Sequence, residues 1–551
     1  MAHQLLRIHP DDNVIVALQD FQKGEVIVLD GESYVMAEKV KAKHKFAIRG
    51  FSVGDAVIQY GITVGEVIHP IAKGRVLTVE NTRHSSQSYG QDVDSYEWKK
   101  PDVSPWEGKT FKGVKRQDGR IGTANYWIVV PLVFCQNRNI ERMKIALQDA
   151  LGYRNETHHI DLARGLVSQY QNGDLLEKND DVIGVGEETI ELDKPPIFPN
   201  VDGVKFLTHT AGCGGTREDA LSFCKLLAGY IHHPNVAGAT ILSLGCQNAQ
   251  MSLLQSELTK LDPDGVTPVQ WYEQQAYGQE KRMLDAAIKS TFKGLIDANK
   301  AVREDVPLSA LKIGVECGGS DGFSGLSANP LIGRVVDKVV ALGGASILGE
   351  FPELCGVEQN ILNRCTRPEL RIRFSQLMKA YEAHALAVGA TFDMNPSPGN
   401  IRDGLITDAM KSAGAALKGG AAPVEDVLDY TEVVTRAGLN LLCTPGNDVE
   451  STTALVGSGA NLVLFSTGLG TPTGNPIVPV MKISSNTAVA EKMHDIIDFN
   501  AGPIVTGERG LEELSNELLD LCIAAASGDY LVKSRRLEQD DFIPWKRGVS
   551  L

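Results

Sequence analysis

Residues 314–325 read Gly314-Val-Glu-Cys-Gly-Gly-Ser-Asp-Gly-Phe-Ser-Gly325. An apolar run, Leu311–Val315, leads into this stretch, and a segment with helical periodicity, Leu331–Leu342, follows it. The pattern predicts a strand, a loop and a helix, with the loop at the carboxyl end of the strand, where open α/β sheets bind their ligands. The glycines let the backbone turn sharply. Two carboxylates, a thiol and two hydroxyls stand between them, so we expect a functional loop rather than a turn alone.

The same order of strand, polar loop and helix recurs along the chain from residue 116 onward. Strands are predicted at Tyr126–Val133, Lys205–Thr208, Ala237–Leu244, Ser346–Leu348, Leu439–Leu442 and Leu462–Phe465. Repeated βα units predict a mostly parallel sheet with helices on its faces. Because the carboxyl ends of parallel strands lie on one edge, we expect the polar loop residues to converge there. They are His209, Cys213, Cys246, Gln247, Asn248, Glu316, Cys317, Asp321, Glu350, Glu353, Asn447 and Asp448.

The first 95 residues have a different pattern, that of a small all-β module. Short strand-like runs separated by glycines occur at Val14–Leu18, Glu25–Leu29, Ala56–Tyr60, Val64–Ile68 and Val76–Val79. Residues 96–113, which include Trp98 and Trp106, predict a linker that packs on the surface and makes the module separable. The sequence therefore predicts a multidomain protein with an all-β domain at 1–95, a linker at 96–113, and α/β domains with mostly parallel sheets at 114–255 and 256–551.

Composition restricts the partners and the compartment. An apolar content of 43% and a charged content of 22% are typical of a globular protein. The net charge of −15 disfavours nucleic acid and anionic membranes as partners, although it leaves room for a small anionic substrate. No apolar run reaches the length of about 18 residues that a membrane span needs. Nine scattered cysteines, without close pairing, favour a reduced, cytoplasmic setting.

The loop residues fit three chemistries. The first is a divalent metal ion with nitrogen and oxygen ligands, drawn from His209, Glu316, Asp321 or Glu350. The second is an iron–sulfur cluster on Cys213, Cys246 and Cys317, although the spacing of these cysteines matches no local ligand motif. The third is a thiol nucleophile paired with a base such as His209. A buried, inert role for any one cysteine is as common as a functional one.

Several longer motifs follow one another in order along the chain. They are His209-Thr-x-Gly-Cys213-Gly, Gly245-Cys-Gln-Asn248, Glu316-Cys-Gly-Gly-Ser-Asp321, Glu350-x-Pro-Glu353, Asn395-Pro-Ser-Pro-Gly-Asn400, Pro445-Gly-Asn-Asp448 and Phe465-Ser-Thr-Gly-x-Gly-Thr-Pro. The front module adds Ile8-His-Pro-x-Asp-Asn-Val14, His44-Lys-Phe46 and Asn81-Thr-Arg83. Together these motifs resemble the altronate/galactarate dehydratase family. The resemblance implies a β-clip domain of the SAF type for the front module.

The resemblance also implies an activity, that of a hydro-lyase that removes water from a sugar acid. The altronate branch is the more similar, and it converts D-altronate to 2-keto-3-deoxy-D-gluconate in galacturonate catabolism. Galactarate, or another aldarate or aldonate, is the alternative substrate. The implied cofactor is a divalent metal, Fe(II) or Mn(II), with an iron–sulfur cluster as the alternative. Enzymes of this kind are commonly homo-oligomers.

One departure from the family pattern affects the metal. The family often carries His-x-His-x-His-Asn before its Asn-Thr-Arg segment, whereas Val76, Thr78 and Glu80 stand here. Glu80 and His84 are the available substitutes, and with Glu350 they are the expected metal ligands. The expected catalytic residues are Glu316, Asp321, His209 and Cys317. The expected substrate-binding residues are Lys45, Asn81, Arg83, Ser320, Asn447 and Thr473.

A non-catalytic sugar-acid sensor or binding protein is the competing class. The front module alone could bind a sugar acid. The density of Cys, His, Glu and Asp in the loops exceeds what sugar binding needs, which favours an enzyme. Formation of a 2-keto product from altronate distinguishes the two classes.

Overall fold

The front of the chain forms a small all-β domain, as predicted. The structure, a computed structural model, describes residues 4–29, 31–90, 92–153, 158–172 and 195–550. The front strands are β1 Leu5–Leu6, β2 Val14–Ala17, β3 Val26–Leu29, β4 Glu32–Val35, β5 Lys45–Ala47, β6 Ala56–Gln59, β7 Ile62–Val67 and β8 Thr82–Arg83. They pair antiparallel in three small sheets, β1-β2-β5, β3-β4 and β6-β7-β8.

The prediction of a strand at Val76–Val79 is wrong. Val76 forms only an isolated bridge with Phe46. The side chain of Asn81 folds this segment into a turn, because its amide donates to Val76 O at 3.0 Å and its Oδ1 accepts from Thr78 N at 2.8 Å. Local amide hydrogen bonds of this kind replace a strand ladder.

The core of the front domain continues into the C-terminal domain. Val57 and Val64 share one apolar cluster with Leu405, Ile406 and Met410. The Lys45 ammonium donates to Gly404 O at 2.7 Å across the same boundary. The front domain is therefore docked on the body through a common core.

The segment between the front domain and the body lies against the C-terminal domain. Tyr96 donates to Ala421 O, and Trp106 is buried and donates to Asp520 at 2.8 Å. The predicted linker 96–113 runs into strand β9 Thr110–Lys115, so its last residues belong to a sheet. That antiparallel sheet also holds β10 Ile121–Gly122 and β15 Arg303–Pro307.

The second domain is built on a parallel four-stranded sheet of order β12-β11-β13-β14. Its strands are β11 Tyr126–Pro131, β12 Gly203–Phe206, β13 Val236–Ser243 and β14 Val269–Glu273. Its helices are α1 Asn137–Leu151, α2 His158–Asn172, α3 Arg217–Ile231, α4 Met251–Leu261, α5 Gln274–Tyr277 and α6 Glu280–Ala298. The sheet extends past the boundary expected at residue 255, because β14 pairs with β13.

The C-terminal domain has a parallel seven-stranded sheet of order β18-β19-β17-β16-β20-β21-β22. Its strands are β16 Lys312–Cys317, β17 Ala345–Leu348, β18 Val424–Leu428, β19 Gly438–Leu442, β20 Leu462–Thr467, β21 Val480–Ser484 and β22 Phe499–Asn500. Its helices are α7 Ala328–Ala341, α8 Glu358–Arg364, α9 Pro368–Ala387, α10 Pro398–Arg402, α11 Asp408–Ala415, α12 Asp448–Gly457, α13 Thr487–Lys492, α14 Gly502–Thr506, α15 Leu511–Ser527 and α16 Lys533–Arg536. Among the helices of the described ranges, none is long and apolar enough to cross a membrane.

Strand β16 lies at the centre of this sheet and contains the first residues of the stretch 314–325. Strand β16 pairs in parallel with β17 on one side and β20 on the other, so the loops after these strands share one edge. The prediction of mostly parallel sheets is confirmed. The prediction of one common edge is wrong for the residues that follow strands of the four-stranded sheet, which are His209, Cys213, Cys246, Gln247 and Asn248.

Candidate active site

Two neighbouring strands bring three acidic groups together in the interior. Glu316 and Cys317 end β16, whereas Glu350 and Glu353 follow β17, and all four side chains are buried. Glu350 has a left-handed backbone with φ 59°, a conformation that costs a non-glycine residue about 1–3 kcal/mol. Its backbone N–H donates to the Thr444 hydroxyl at 2.6 Å. This turn directs the Glu350 carboxylate to Cys317, whose N–H lies 3.3 Å from Oε2.

Two lysines, one fully buried and one largely buried, face these acids. Lys418 Nζ lies 2.5 Å from Glu350 Oε2 and 3.0 Å from Cys317 Sγ. Lys411 Nζ lies 2.5 Å from Glu353 Oε1. Lys411 belongs to α11, and Lys418 lies in the 3-10 turn Ala416–Gly419 that follows it. We call Glu316, Cys317, Glu350, Glu353, Lys411, Lys418 and Asp448 the acid–lysine cluster.

The carboxyl groups of the cluster differ in their affinity for protons. Burial and then the charge of Glu350 raise the pKa of Glu316 well above its usual range. Glu316 Oε2 accepts from Ser451 at 2.6 Å, and no described residue donates to Oε1. A side-chain hydrogen bond with Glu350 also raises the pKa of Glu316. Burial opposes the ionisation of Glu353, but the charges of Lys411 and Lys418 lower its pKa. The cluster thus places an acid of raised pKa near an acid of lowered pKa.

Asp448 is the more accessible acid of the cluster. It is the first residue of α12 and is partly exposed. Burial, followed by the charges of Glu350 and Glu353, raises the pKa of Asp448 to about 7. Gly318 leaves the space for this carboxylate, because a Cβ there would lie 2.0 Å from Asp448 Oδ2. A carboxyl group with such a pKa can take up or release a proton near neutral pH.

A cleft of about 730 Å³ adjoins the cluster. Asn395 and Gly446 belong to its wall, and Asn395 Nδ2 donates to Glu353 Oε1 at 3.3 Å. Tyr381, Phe392 and Trp545 form an aromatic part of the lining. The volume suits a small organic molecule, and its polar end would meet Asn395 beside Glu353.

Asp321, a predicted catalytic residue, is fully buried, and its carboxylate is engaged in an ion pair and in hydrogen bonds. Its carboxylate forms an ion pair with Lys43 of the front domain at 2.9 Å. It also accepts hydrogen bonds from Phe323 N, Ser324 Oγ, Ser485 Oγ and Asn486 Nδ2. The arrangement fixes the loop and joins two domains, which favours a structural role.

Asp321→Asn is expected to lower the free energy of unfolding by about 1.5–3 kcal/mol, because hydrogen bonds to a buried charge are lost. The folded variant should keep its rate within a few-fold. Asp403→Asn is the matched control, since Asp403 is the other, partly exposed partner of Lys43 at 3.0 Å, and it should cost at most about 1 kcal/mol. Urea unfolding and a rate assay check both; a large rate loss in Asp321→Asn alone would contradict the structural role.

His209 also has a structural environment. Its Nε2 lies 2.6 Å from Pro131 O, and its Nδ1 accepts from Ala211 N at 3.0 Å. Burial lowers the pKa of His209 to about 4, so the ring is neutral near pH 7. With both nitrogens engaged in the four-stranded-sheet domain, His209 is not part of the acid–lysine cluster.

The predicted substrate-binding residues are distributed over several places. Lys45 is buried at the domain boundary, and burial lowers its pKa to about 7. Arg83 is exposed and pairs with Glu66 at 3.0 Å. Asn447 caps α12 by accepting from Glu450 N at 3.1 Å. Asn81 forms the turn described above, and Ser320 and Thr473 are buried.

The predicted metal ligands lie in three different surroundings. Glu80 is exposed, and Glu350 is paired with Lys418 in the cluster. His84 lies beside Cys355 and Asp408 at the domain boundary. The three side chains therefore do not form one group of ligands in the described part of the chain.

Sequence reasoning missed Lys411, Lys418 and Ser451, and it gave Asp448 no role. Lys411 and Lys418 stand in an otherwise small and apolar segment, seven positions apart. In a continuous α-helix, seven residues are about two turns, and this spacing predicts that both side chains lie on one side. That spacing was the available signal.

Comparison with known proteins gives the same family for all three domains. The "Altronate/galactarate dehydratase SAF domain" matches residues 3–85. The "D-galactarate dehydratase/Altronate hydrolase, second domain" matches residues 113–299, and the "D-galactarate/Altronate dehydratase, C-terminal" matches residues 308–550. Altronate dehydratase of Bacillus subtilis is 33% identical over 549 residues, which are 99% of each chain. Altronate dehydratase of Escherichia coli is 32% identical over the whole of both chains, and its galactarate dehydratase (L-threo-forming) is 29% identical over 95% of this chain and 92% of its own.

The family models and the relatives, which match the front domain and both parallel α/β domains, show an enzyme of the hydro-lyase class. The chain belongs to the altronate/galactarate dehydratase family. The resemblance drawn from the motifs is confirmed.

Proposed function

We propose that the protein dehydrates a sugar acid, with D-altronate as the first candidate substrate and 2-keto-3-deoxy-D-gluconate as the product. The names of two relatives that match over nearly the whole chain support altronate over galactarate. The observation that carries the proposal is the acid–lysine cluster, in which carboxyl groups of different pKa stand beside two lysines. The cluster contacts the adjoining cleft through Asn395 of its wall.

The dehydration needs a base, an acid and a cation. Removal of the C2 proton places negative charge on the substrate carboxylate, which cationic donors stabilise. Asp448, with its pKa of about 7, is the proposed base, and Lys411 is the proposed cation. The C3–O bond then breaks, and Glu316, through Glu350, is the proposed source of the proton that releases the hydroxyl as water. The enol product tautomerises to the 2-keto acid.

The test is an assay of the full-length protein with D-altronate, galactarate and D-gluconate. Formation of a 2-keto product from altronate at the highest kcat/KM is expected. Turnover of galactarate alone would show that the protein is a galactarate dehydratase and not an altronate dehydratase. Binding of altronate without product would favour the sugar-acid binding protein.

The fit of a metal to the cluster is poor. Cys317, Glu350 and Glu353 have the spacing of a ligand group, but the Lys418 ammonium lies 2.5 Å from Glu350 and 4.0 Å from Glu353. An ammonium at this place supplies the positive charge that an ion would bring. The steps proposed above accordingly use only residues of the chain. Dependence on Fe(II) or Mn(II), implied by the motif resemblance, would therefore need an ion bound outside this cluster.

Chelation tests this dependence. Dialysis against excess chelator is expected to abolish dehydration, and Fe(II) or Mn(II) is expected to restore it. Mg²⁺, which prefers all-oxygen ligands, is the control ion. Full activity in excess chelator would contradict metal dependence, and a sulfide-containing brown protein would favour the iron–sulfur alternative.

The assembly and the compartment are also proposals. Homo-oligomer formation is implied by the motif resemblance and is checked by light scattering. A cytoplasmic location is supported by the cysteines, because all nine are free, as expected in a reducing compartment.

A further inference from the structure

Three potential metal ligands meet where the front domain contacts the body. His84 follows β8 of the front domain, Cys355 follows the 3-10 turn Phe351–Leu354, and Asp408 begins α11. One nitrogen, the sulfur and one carboxylate oxygen all lie within 4.8 Å of one another. We call these three residues the interdomain triad. It shares no residue with the acid–lysine cluster.

Asp408 is the residue that needs a partner. It is 1% exposed, and neither carboxylate oxygen accepts a hydrogen bond from the described part of the chain. The common use of such a residue, capping its own helix, is excluded because Thr407 caps α11 by accepting from Met410 N at 3.2 Å. A buried carboxylate without hydrogen bonds is costly unless a cation or a proton neutralises it.

The lysine nearest to Asp408 in the sequence is paired with another carboxylate. Lys411 lies one helical turn further along α11, but its ammonium pairs with Glu353 and contacts Asn395 Oδ1 at 3.1 Å. Within the described ranges, Asp408 forms no ion pair with any lysine or arginine. The other two members of the triad bring a ring nitrogen and a sulfur, which are metal ligands and not cations near neutral pH.

The positions of His84 and Cys355 suit metal binding. His84 Nδ1 accepts a hydrogen bond of 3.3 Å from Ala409 N. Cys355 is half-buried beside the Asp408 carboxylate. A bound divalent ion would neutralise Asp408 and the thiolate together.

We propose that His84, Cys355 and Asp408 bind one divalent transition-metal ion that joins the front domain to the body. A mixed set of imidazole, thiolate and carboxylate ligands favours Zn²⁺ or Fe²⁺ over Mn²⁺ and Mg²⁺. Three protein ligands leave a fourth position of a tetrahedral ion for water. The site differs from the expected set of Glu80, His84 and Glu350 in two of its three ligands.

Cobalt substitution tests the proposal on the full-length protein after chelation. Co²⁺ is expected to bind with one high-affinity equivalent and to give a near-ultraviolet thiolate-to-Co²⁺ charge-transfer band. Cys355→Ser should abolish the band. His84→Asn and Asp408→Asn should weaken Co²⁺ binding by at least about 100-fold, since the loss of even an outer partner of a ligand costs about 10–100-fold.

Cys317→Ser is the matched control, because Cys317 belongs to the only other ligand group found among the described residues. It should keep the band. A band that depends on Cys317 instead, or the absence of thiolate-dependent binding, would overturn the proposal. Zn²⁺ should also raise Tm in the wild type but not in His84→Asn, and circular dichroism of the metal-free variants verifies that they fold. No step uses substrate, so a negative dehydratase assay leaves the result valid.

Discussion

Lys418→Met is expected to lower the free energy of unfolding by about 3–5 kcal/mol and to reduce kcat/KM by at least about 100-fold. Lys418 is 1% exposed and neutralises Glu350 at 2.5 Å, with the Cys317 sulfur at 3.0 Å. Removal of one partner leaves a buried charge uncompensated, which accounts for the loss of stability. The same change alters the proton affinity of Glu350 and of Glu316 beside it. Urea unfolding and steady-state kinetics measure the two effects.

Two further variants separate stability from activity. Lys338→Met removes another fully buried lysine, which pairs with Glu512 at 2.7 Å and accordingly belongs to the contact between α7 and α15. It should cost stability but retain kcat/KM in the folded fraction. The double variant Lys418→Met with Glu350→Gln removes both charges, so it should regain stability without regaining activity. Recovery of activity in the double variant would show that Lys418 acts only in folding.

Asp448→Asn is expected to reduce kcat by about 10²–10⁴-fold, the usual range for the loss of a general base, with little change in Tm. A base must be deprotonated to act, so the wild-type rate should rise with pH through the Asp448 pKa of about 7. That part of the pH profile should disappear in the variant.

Glu450→Gln is the matched control for Asp448. Glu450 lies in the same first turn of α12, and burial raises its pKa as well, but its shift has no contribution from the charges of the cluster. It should keep both the rate and the pH profile. Retention of the rate rise near pH 7 in Asp448→Asn would assign the proton transfer to another group.

The sequence predicted the parts of the site that follow strands. The apolar run before Glu316 and the helix after it place the loop at the carboxyl end of β16, and Glu350 and Asp448 follow β17 and β19 in the same way. Local patterns suffice for these residues because the edge of a parallel sheet collects them. Local patterns could not exclude His209, because membership of a second sheet depends on strand pairing over long distances.

The positions of the two lysines of the cluster could not be predicted from local sequence patterns either. Lys411 and Lys418 come from a helix and a turn, and they reach Glu353 and Glu350 only because α11 packs between the front domain and the sheet domain. The role of Asp321 was likewise undecided, since its partner Lys43 is far away in the sequence. Residue types can suggest chemistry, but contacts between domains determine which groups are free to perform it.

The common core of the front domain and α11 has a consequence for how the chain can be divided. Leu405, Ile406 and Met410 are covered by Val57, Val64 and their neighbours. A fragment that begins at residue 96 would leave this apolar surface open to water, both on the helix that also holds Lys411 and just before it. Such surfaces promote aggregation. The front domain thus shields an apolar surface of the body from solvent. A version of the protein split at residue 96 would stay in solution only when both pieces are produced together.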